Sequence, residues 1–116
     1  MSVKVDLEQL ESALAEYSFA YVVTVSEDHR AHTVAVTPVL ADGVFTVDAF
    51  GGTTKRNAEA HPDITLVWPP RDPSGYTLIV DGRCELTDEA MRVTPDRAVL
   101  HRMPNDCMPL EPKPQT

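Results

Sequence analysis

The stretch whose periodicity decides the fold runs from residue 19 to 50: FAYVVTV (19–25), SEDH (26–29), RAHTVAVTPVL (30–40), ADG (41–43) and VFTVDAF (44–50). Residues 19–25 are almost wholly aromatic and β-branched, the composition of a strand buried on both faces. The polar run Ser26, Glu27, Asp28, His29 turns the chain. Residues 30–40 then alternate, with His32, Val34 and Val36 on one face and Thr33, Ala35 and Thr37 on the other. Asp42-Gly43 between two apolar runs is a strong hairpin signal, and 44–50 is the returning strand. The expectation is a three-stranded meander.

Upstream, Leu7, Leu10, Leu14 and Tyr17 recur at helical spacing with Glu8, Glu11 and Glu16 between them. Asp6 and Gln9 resemble a capping box, and Val5 with Leu10 a hydrophobic staple. A helix over 6–17 is predicted. Downstream, Gly51-Gly52 ends the third strand and a short helix covers 55–60, stopped by Pro62. Strands follow at 64–68, 76–86 and 91–102, the last interrupted by Thr94-Pro95-Asp96. Residues 69–75 are turn formers and read as an exposed loop. Gly82 inside the long strand suggests a bulge or sharp bend, as a curling sheet requires. The fold class is mainly β: a six-stranded antiparallel split β-barrel with an N-terminal helix and a short inserted helix.

With 116 residues the chain is one domain, taken as 1–102, and a tail over 103–116 that holds Pro104, Pro109, Pro112 and Pro114 and reads as mobile or extended. Ten basic against eighteen acidic residues give a net charge of −8, which disfavours nucleic acid and anionic lipid as partners. No window approaches a membrane span, no secretory signal is visible, and Cys84 and Cys107 form no metal or redox spacing. The cytoplasm is the expected location.

Candidate chemistry concentrates at Gly51-Gly52-Thr53-Thr54-Lys55-Arg56-Asn57. Glycines admit close backbone approach, and a helix start offers free amides to an anion. Lys55 and Arg56 stand side by side where the helix dipole disfavours cations, a conflict that a phosphate would relieve. The other reading, a surface turn with two solvated charges, stays open. His29 and His32 point to opposite faces of a strand and read as surface residues, His61 as a helix-end residue, and no metal site is expected. Trp68 and Cys84 read as packing residues, and Arg83 with Glu85 as a solvated or paired cross-strand set.

Asp42-Gly43-Val44-Phe45-Thr46-Val47-Asp48, Thr53-Thr54-Lys55-Arg56-Asn57, and His61-Pro62-Asp63-Ile64-Thr65-Leu66-Val67-Trp68 together resemble the pyridoxamine 5′-phosphate oxidase-like family of FMN-binding split barrels, within the wider flavin/deazaflavin oxidoreductase group. The resemblance covers about residues 7–102. It implies that Thr54 and Lys55, with Arg56 nearby, hold the FMN phosphate. It also implies that His32, Ala35, Val36 and Thr37 run along the cofactor, and that Val47 and Asp48 line the site. Thr77 would come from the partner subunit of a homodimer with flavin sites at its interface. The implied activity is an FMN-dependent oxidoreductase acting on a small molecule, with no protein acid or base indicated. His32 stands where an arginine is common, and Asp48 brings a carboxylate toward an anion site. An F420-binding reductase is one alternative, although the acidic tail of F420 calls for more cations than these two. A cofactor-free dimeric binding module is the other.

Overall fold

The computed structural model describes residues 2–103. Apart from Met103, the proline-rich tail read from the sequence lies outside the described residues. The described residues form eight strands: β1 (Ser2–Val5), β2 (Ala20–Val25), β3 (Ala31–Val36), β4 (Val39–Ala41), β5 (Val44–Val47), β6 (Asp63–Trp68), β7 (Thr77–Leu86) and β8 (Met91–His101). Helix α1 (Leu10–Leu14) follows a 3-10 turn at Leu7–Gln9, and α2 (Gly52–Ala60) lies between β5 and β6.

All pairings are antiparallel, and the sheet order is β3-β2-β6-β7-β8-β5-β4, with β1 added to β8. The strands at the two ends of this path, β3 and β4, are consecutive in the chain and joined only by Thr37-Pro38. A two-residue link cannot cross a flat sheet of seven strands spaced about 4.8 Å apart, so the sheet must curl until its ends nearly meet. The result is a barrel with one seam, a split barrel.

This arrangement corrects the expected meander. Strands β2 and β3 pair, and β4 and β5 pair, but β3 does not pair with β4; β5 joins β8 and β2 joins β6. The cause is Pro38, which lacks an amide donor and breaks the run 30–40 into two strands that part company. The Asp42-Gly43 hairpin stands as expected, both residues having positive φ (53° and 78°), as a two-residue type I′ turn requires.

The N-terminal helix is shorter than its periodicity suggests. Asp6 makes no side-chain cap, and the amides of Ala15, Glu16 and Tyr17 bond three residues back rather than four. The helical face thus ends in tight turns. Val5 and Leu10, the expected staple pair, both enter the core. Strand β1 was not anticipated from the sequence; three of its four residues are exposed, so it carries little hydrophobic pattern.

The interior is filled by Val22, Phe45, Leu66, Leu78, Val80, Met91 and Val93, each fully buried. Trp68 packs against Phe45 with ring centres 5.3 Å apart, in the core as expected. Strand β2 is buried on one face only, contrary to its reading as a doubly buried strand, and Tyr21 is 37% exposed. Its outward face belongs to a row in register across the sheet: Ala35, Tyr21, Val67, Ile79 and Val99. Tyr21 was read as buried because composition does not say whether a second layer is present.

Gly82 does mark an irregularity. The β7–β8 register shifts between Asp81 and Gly82, so that Asp96 becomes an extra residue on β8. A Cβ at Gly82 would lie 2.7 Å from the Thr94 carbonyl oxygen and 2.8 Å from Val93 Cγ1. Only glycine fits the approach. Pro95 opposes it, where β8 has no neighbour on its other edge between β5 and β1.

Candidate functional site

Helix α2 carries the cationic segment. Gly51 occupies its N-cap position in extended conformation and supplies no side-chain cap, and Asp48 to Gly51 deliver the chain from β5. Thr54, Asn57 and Ala58 form the buried stripe, at the i, i+3, i+4 spacing of one helix face. That stripe is fastened by Asn57 Nδ2, which donates to Thr24 Oγ1 at 3.1 Å, and by the Cys84 thiol, which lies 3.8 Å from the Ala58 carbonyl. Burial pushes the Cys84 thiol up from its ordinary value, so it is a protonated packing group.

Two polar atoms here are buried with no hydrogen-bond partner among the described residues: Thr54 Oγ1 and His61 Nε2. His61 caps the C-terminal end of α2, as read from the sequence, and its ring lies 5.9 Å from that of His29 on the β2–β3 turn. Among the described residues no group of three or more His, Cys, Asp or Glu side chains is placed to hold a metal.

The two cations diverge. At 100° per residue, Lys55 and Arg56 leave the helix on opposite sides of the buried stripe. Arg56 turns back to donate from Nη2 to Thr53 Oγ1 at 3.1 Å, and with Thr53 and Asn57 it borders a cleft of about 360 Å³. The opposite wall is the β2–β3 turn: Ser26, Glu27 and Asp28. Lys55 does not line that cleft. Both cations are exposed, and no carboxylate among the described residues lies within ion-pair distance of either. Asp48, exposed after β5, does not pair with them.

The remaining sequence candidates fall into three groups. His32, Ala35 and Val36 lie on β3, the last strand on one side of the seam, followed by exposed Thr37. His32 is half-buried, Ala35 is exposed, and Val36 points into the core. Val47, 1% exposed, is also a core side chain, so Val36 and Val47 offer a ligand their backbone only. Thr77 starts β7, whereas α2 touches that strand at Cys84, roughly 23 Å away at 3.3 Å per residue. Within one chain, Thr77 and the cationic segment are not brought together. Thr53 and Asn57 belong to the segment singled out from the sequence, whereas Ser26, Glu27 and Asp28, read there only as a turn, were not expected to wall a cleft with them.

The curled sheet, the seam beside β3 and the helix entering from β5 define the class: the chain has the split-barrel fold of the pyridoxamine 5′-phosphate oxidase-like proteins. Solved structures that share it include an F420 reductase, at TM-score 0.63 and 19% identity over 76% of this chain and 94% of that one. An FAD-binding protein of Mycobacterium smegmatis superposes at TM-score 0.62 and 14% identity over 86% and 97%. A Listeria innocua protein described as a candidate pyridoxamine 5′-phosphate oxidase gives TM-score 0.68 and 10% identity over 81% and 96%. At the level of sequence the chain belongs to the same family as an uncharacterized protein of Mycobacterium bovis and one of Mycobacterium tuberculosis. Each is 46% identical to it, across 85% of this chain and 81% of the relative. No protein-family model matches the sequence.

Proposed function

We propose that the chain binds FMN by its phosphate at the start of α2 and serves, as a homodimer, as a flavin-dependent oxidoreductase for a small molecule. The observation that carries this reading is an uncompensated positive end. Among the described residues the helix begins without a side-chain cap, its first turns bear two cations without carboxylate partners, and Thr54 Oγ1 is buried without a partner. A phosphate ester supplies the acceptor oxygens and the charge that such a helix start favours. Glu27 and Asp28 on the wall facing Arg56 make that cleft unsuitable for an anion, so Thr54 and Lys55 are the primary contacts and Arg56 a secondary one.

The fold supports the reading, because the neighbours named above include proteins described as FAD-binding and as an F420 reductase. In this reading His32, Ala35 and Thr37, with the backbones of Val36 and Val47 and with Asp48, would lie along the ring. The outward apolar row Ala35, Tyr21, Val67, Ile79 and Val99 is a surface a second copy would cover, and a second copy is what Thr77 needs to join the site. When bound, the flavin supplies hydride or electron transfer; the chain's own residues hold and orient it.

The test is an absorbance spectrum and thermal melt of the full chain with FMN, FAD and F420. A ligand bound only by the folded state at one hundred times its Kd stabilises by about 2.7 kcal/mol. Lys55→Ala is expected to weaken FMN binding more than Arg56→Ala does. Tighter F420 than FMN binding replaces the cofactor; no shift with any of the three leaves a cofactor-free binding module.

A further inference from the structure

At the C-terminal end of α2, away from its cationic start, two histidines from distant parts of the chain meet. The ring of His29, on the β2–β3 turn, and that of His61, which follows the helix, have centres 5.9 Å apart and planes tilted by 38°. Both backbones are held in place. The His29 amide donates to the Ser26 carbonyl at 2.9 Å and the Ser26 amide to the Arg30 carbonyl at 2.9 Å, closing the turn around a His29 with φ of 66°. The His61 amide donates to the Asn57 carbonyl at 2.8 Å, and Pro62, next in the chain, accepts from the Cys84 amide at 2.8 Å. Asn57 is itself bonded to Thr24 of β2, so the end of the helix and the turn that follows β2 keep a fixed relation.

Two independent features suit this place to a cation. The first is His61 Nε2, buried without a hydrogen-bond partner among the described residues. A neutral imidazole protonated on Nδ1 presents a bare lone pair at Nε2, and a buried polar atom left unpaired costs about 1–3 kcal/mol. A metal ion is a partner that such a lone pair accepts. The second is the helix end. No basic residue stands in the last turn of α2, so no side chain of that turn offsets the partial negative charge of its final carbonyls. Asp28, beside His29, already accepts from Ser26 Oγ and lies 3.7 Å from Arg30 Nε, which leaves the two imidazoles as the ligands.

We propose that His29 and His61 form a two-histidine site for Zn²⁺ that clamps the β2–β3 turn to the end of α2. A zinc–nitrogen bond of about 2.0–2.1 Å sets the ion about 3.2 Å from each ring centre. Two tetrahedral imidazole ligands then have centres about 5.2 Å apart and two opposed ones about 6.4 Å; the 5.9 Å found here lies between. Closing the gap by about 0.7 Å reaches the tetrahedral value, a movement open to His29, whose side chain is exposed on its turn. Among the described residues no third histidine, cysteine or carboxylate joins the pair, so water fills the remaining positions and the ion exchanges freely. The inference does not depend on the flavin reading, since the ligands are separate from Thr54 and Lys55.

The test titrates ZnCl₂ alone into the full chain carrying Cys107→Ser, which removes the one thiol outside the core sequence, and follows heat and the histidine ring NMR signals. One Zn²⁺ per chain is expected, with the signals of His29 and His61 shifting, those of His32 and His101 unmoved, and a chelator reversing the change. His29→Asn keeps a residue that tolerates positive φ, and His61→Gln keeps a polar side chain. Each is expected to weaken Zn²⁺ binding by about tenfold or more, as loss of a ligand must when outer-shell changes alone cost 10–100-fold. The melting temperature is expected to rise with Zn²⁺ in the parent chain and not in either variant. Should His61→Gln fail to fold, His29→Asn on its exposed turn decides the matter. Absence of saturable binding, unchanged affinity in His29→Asn, or shifts centred on His32 or His101 overturns the proposal.

Discussion

One buried polar contact ties α2, and with it the candidate anion site, to β2. Asn57 Nδ2 donates to Thr24 Oγ1 at 3.1 Å; Thr24 has no exposed surface and Asn57 is 5% exposed. Replacing Thr24 by Val keeps the shape but leaves the Asn57 amide without its acceptor. Replacing Asn57 by Leu strands the Thr24 hydroxyl in the core. Each single substitution is expected to cost about 1–3 kcal/mol, the penalty of a buried group left unpaired. In the double variant neither orphan exists, so its cost falls short of the sum by about 1–2 kcal/mol, within the range measured for contacting pairs. Urea unfolding of the four proteins reads this as a shift of midpoint at constant slope. Hydrogen exchange of the α2 amides supplies a second reading, fast in both single variants and slower in the double. Single-variant costs that add to within about 0.5 kcal/mol would refute the argument, since the hydrogen bond would then not be what holds the helix to β2.

Gly82→Ala drives a methyl against a backbone carbonyl and the fully buried Val93, neither of which can move aside, so a loss of about 1–3 kcal/mol is expected in thermal or urea unfolding. Gly43→Ala meets no atom within 4 Å, and its cost is backbone only: φ of +78° in a non-glycine residue is worth about 1–2 kcal/mol, without any change in the core. Burial raises the acid groups of both Tyr17 and Cys84, with Glu16 adding to the shift at Tyr17. The folded state therefore keeps these protons longer than the unfolded chain does. Stability is full below the ordinary thiol and phenol values of about 8.5 and 10 and declines as pH rises through them toward the raised folded values. Urea midpoints measured from pH 7 to 11 should show this decline, with its lower part missing in Cys84→Ala and its upper part missing in Tyr17→Phe.

Features written in a few adjacent residues were legible. Asp42-Gly43 can form only a tight turn with positive φ, Gly82 interrupts a strand at a place where no side chain fits, and Pro62 ends α2. Thr87 and Ala90 close the short β7–β8 connection through reciprocal bonds, as a four-residue link demands. The alternation of His32, Val34 and Val36 against Thr33, Ala35 and Thr37 appears unchanged in β3. Burial of Trp68 and Cys84, and the exposed face of Arg83 and Glu85, follow equally from position on a strand; that Arg83 meets Asp63 at 3.4 Å depends on the β6–β7 pairing. The candidate site was legible only as a segment. Thr53 to Arg56 announced a helix start with cations, but not that Arg56 would face the carboxylates of Glu27 and Asp28 while Lys55 faced away.

From sequence alone come most of the strands, the alternation within β3, the Asp42-Gly43 turn and the place where charge accumulates, because each depends on residues within a few positions of one another. Only the tertiary structure decides that Pro38 sends β3 and β4 to opposite ends of one sheet, that exposed β1 completes it, and that Thr77 stands a strand's length from α2 within the chain. Those outcomes are set by which distant strands share hydrogen bonds and by what covers each face, and neither is encoded in local periodicity.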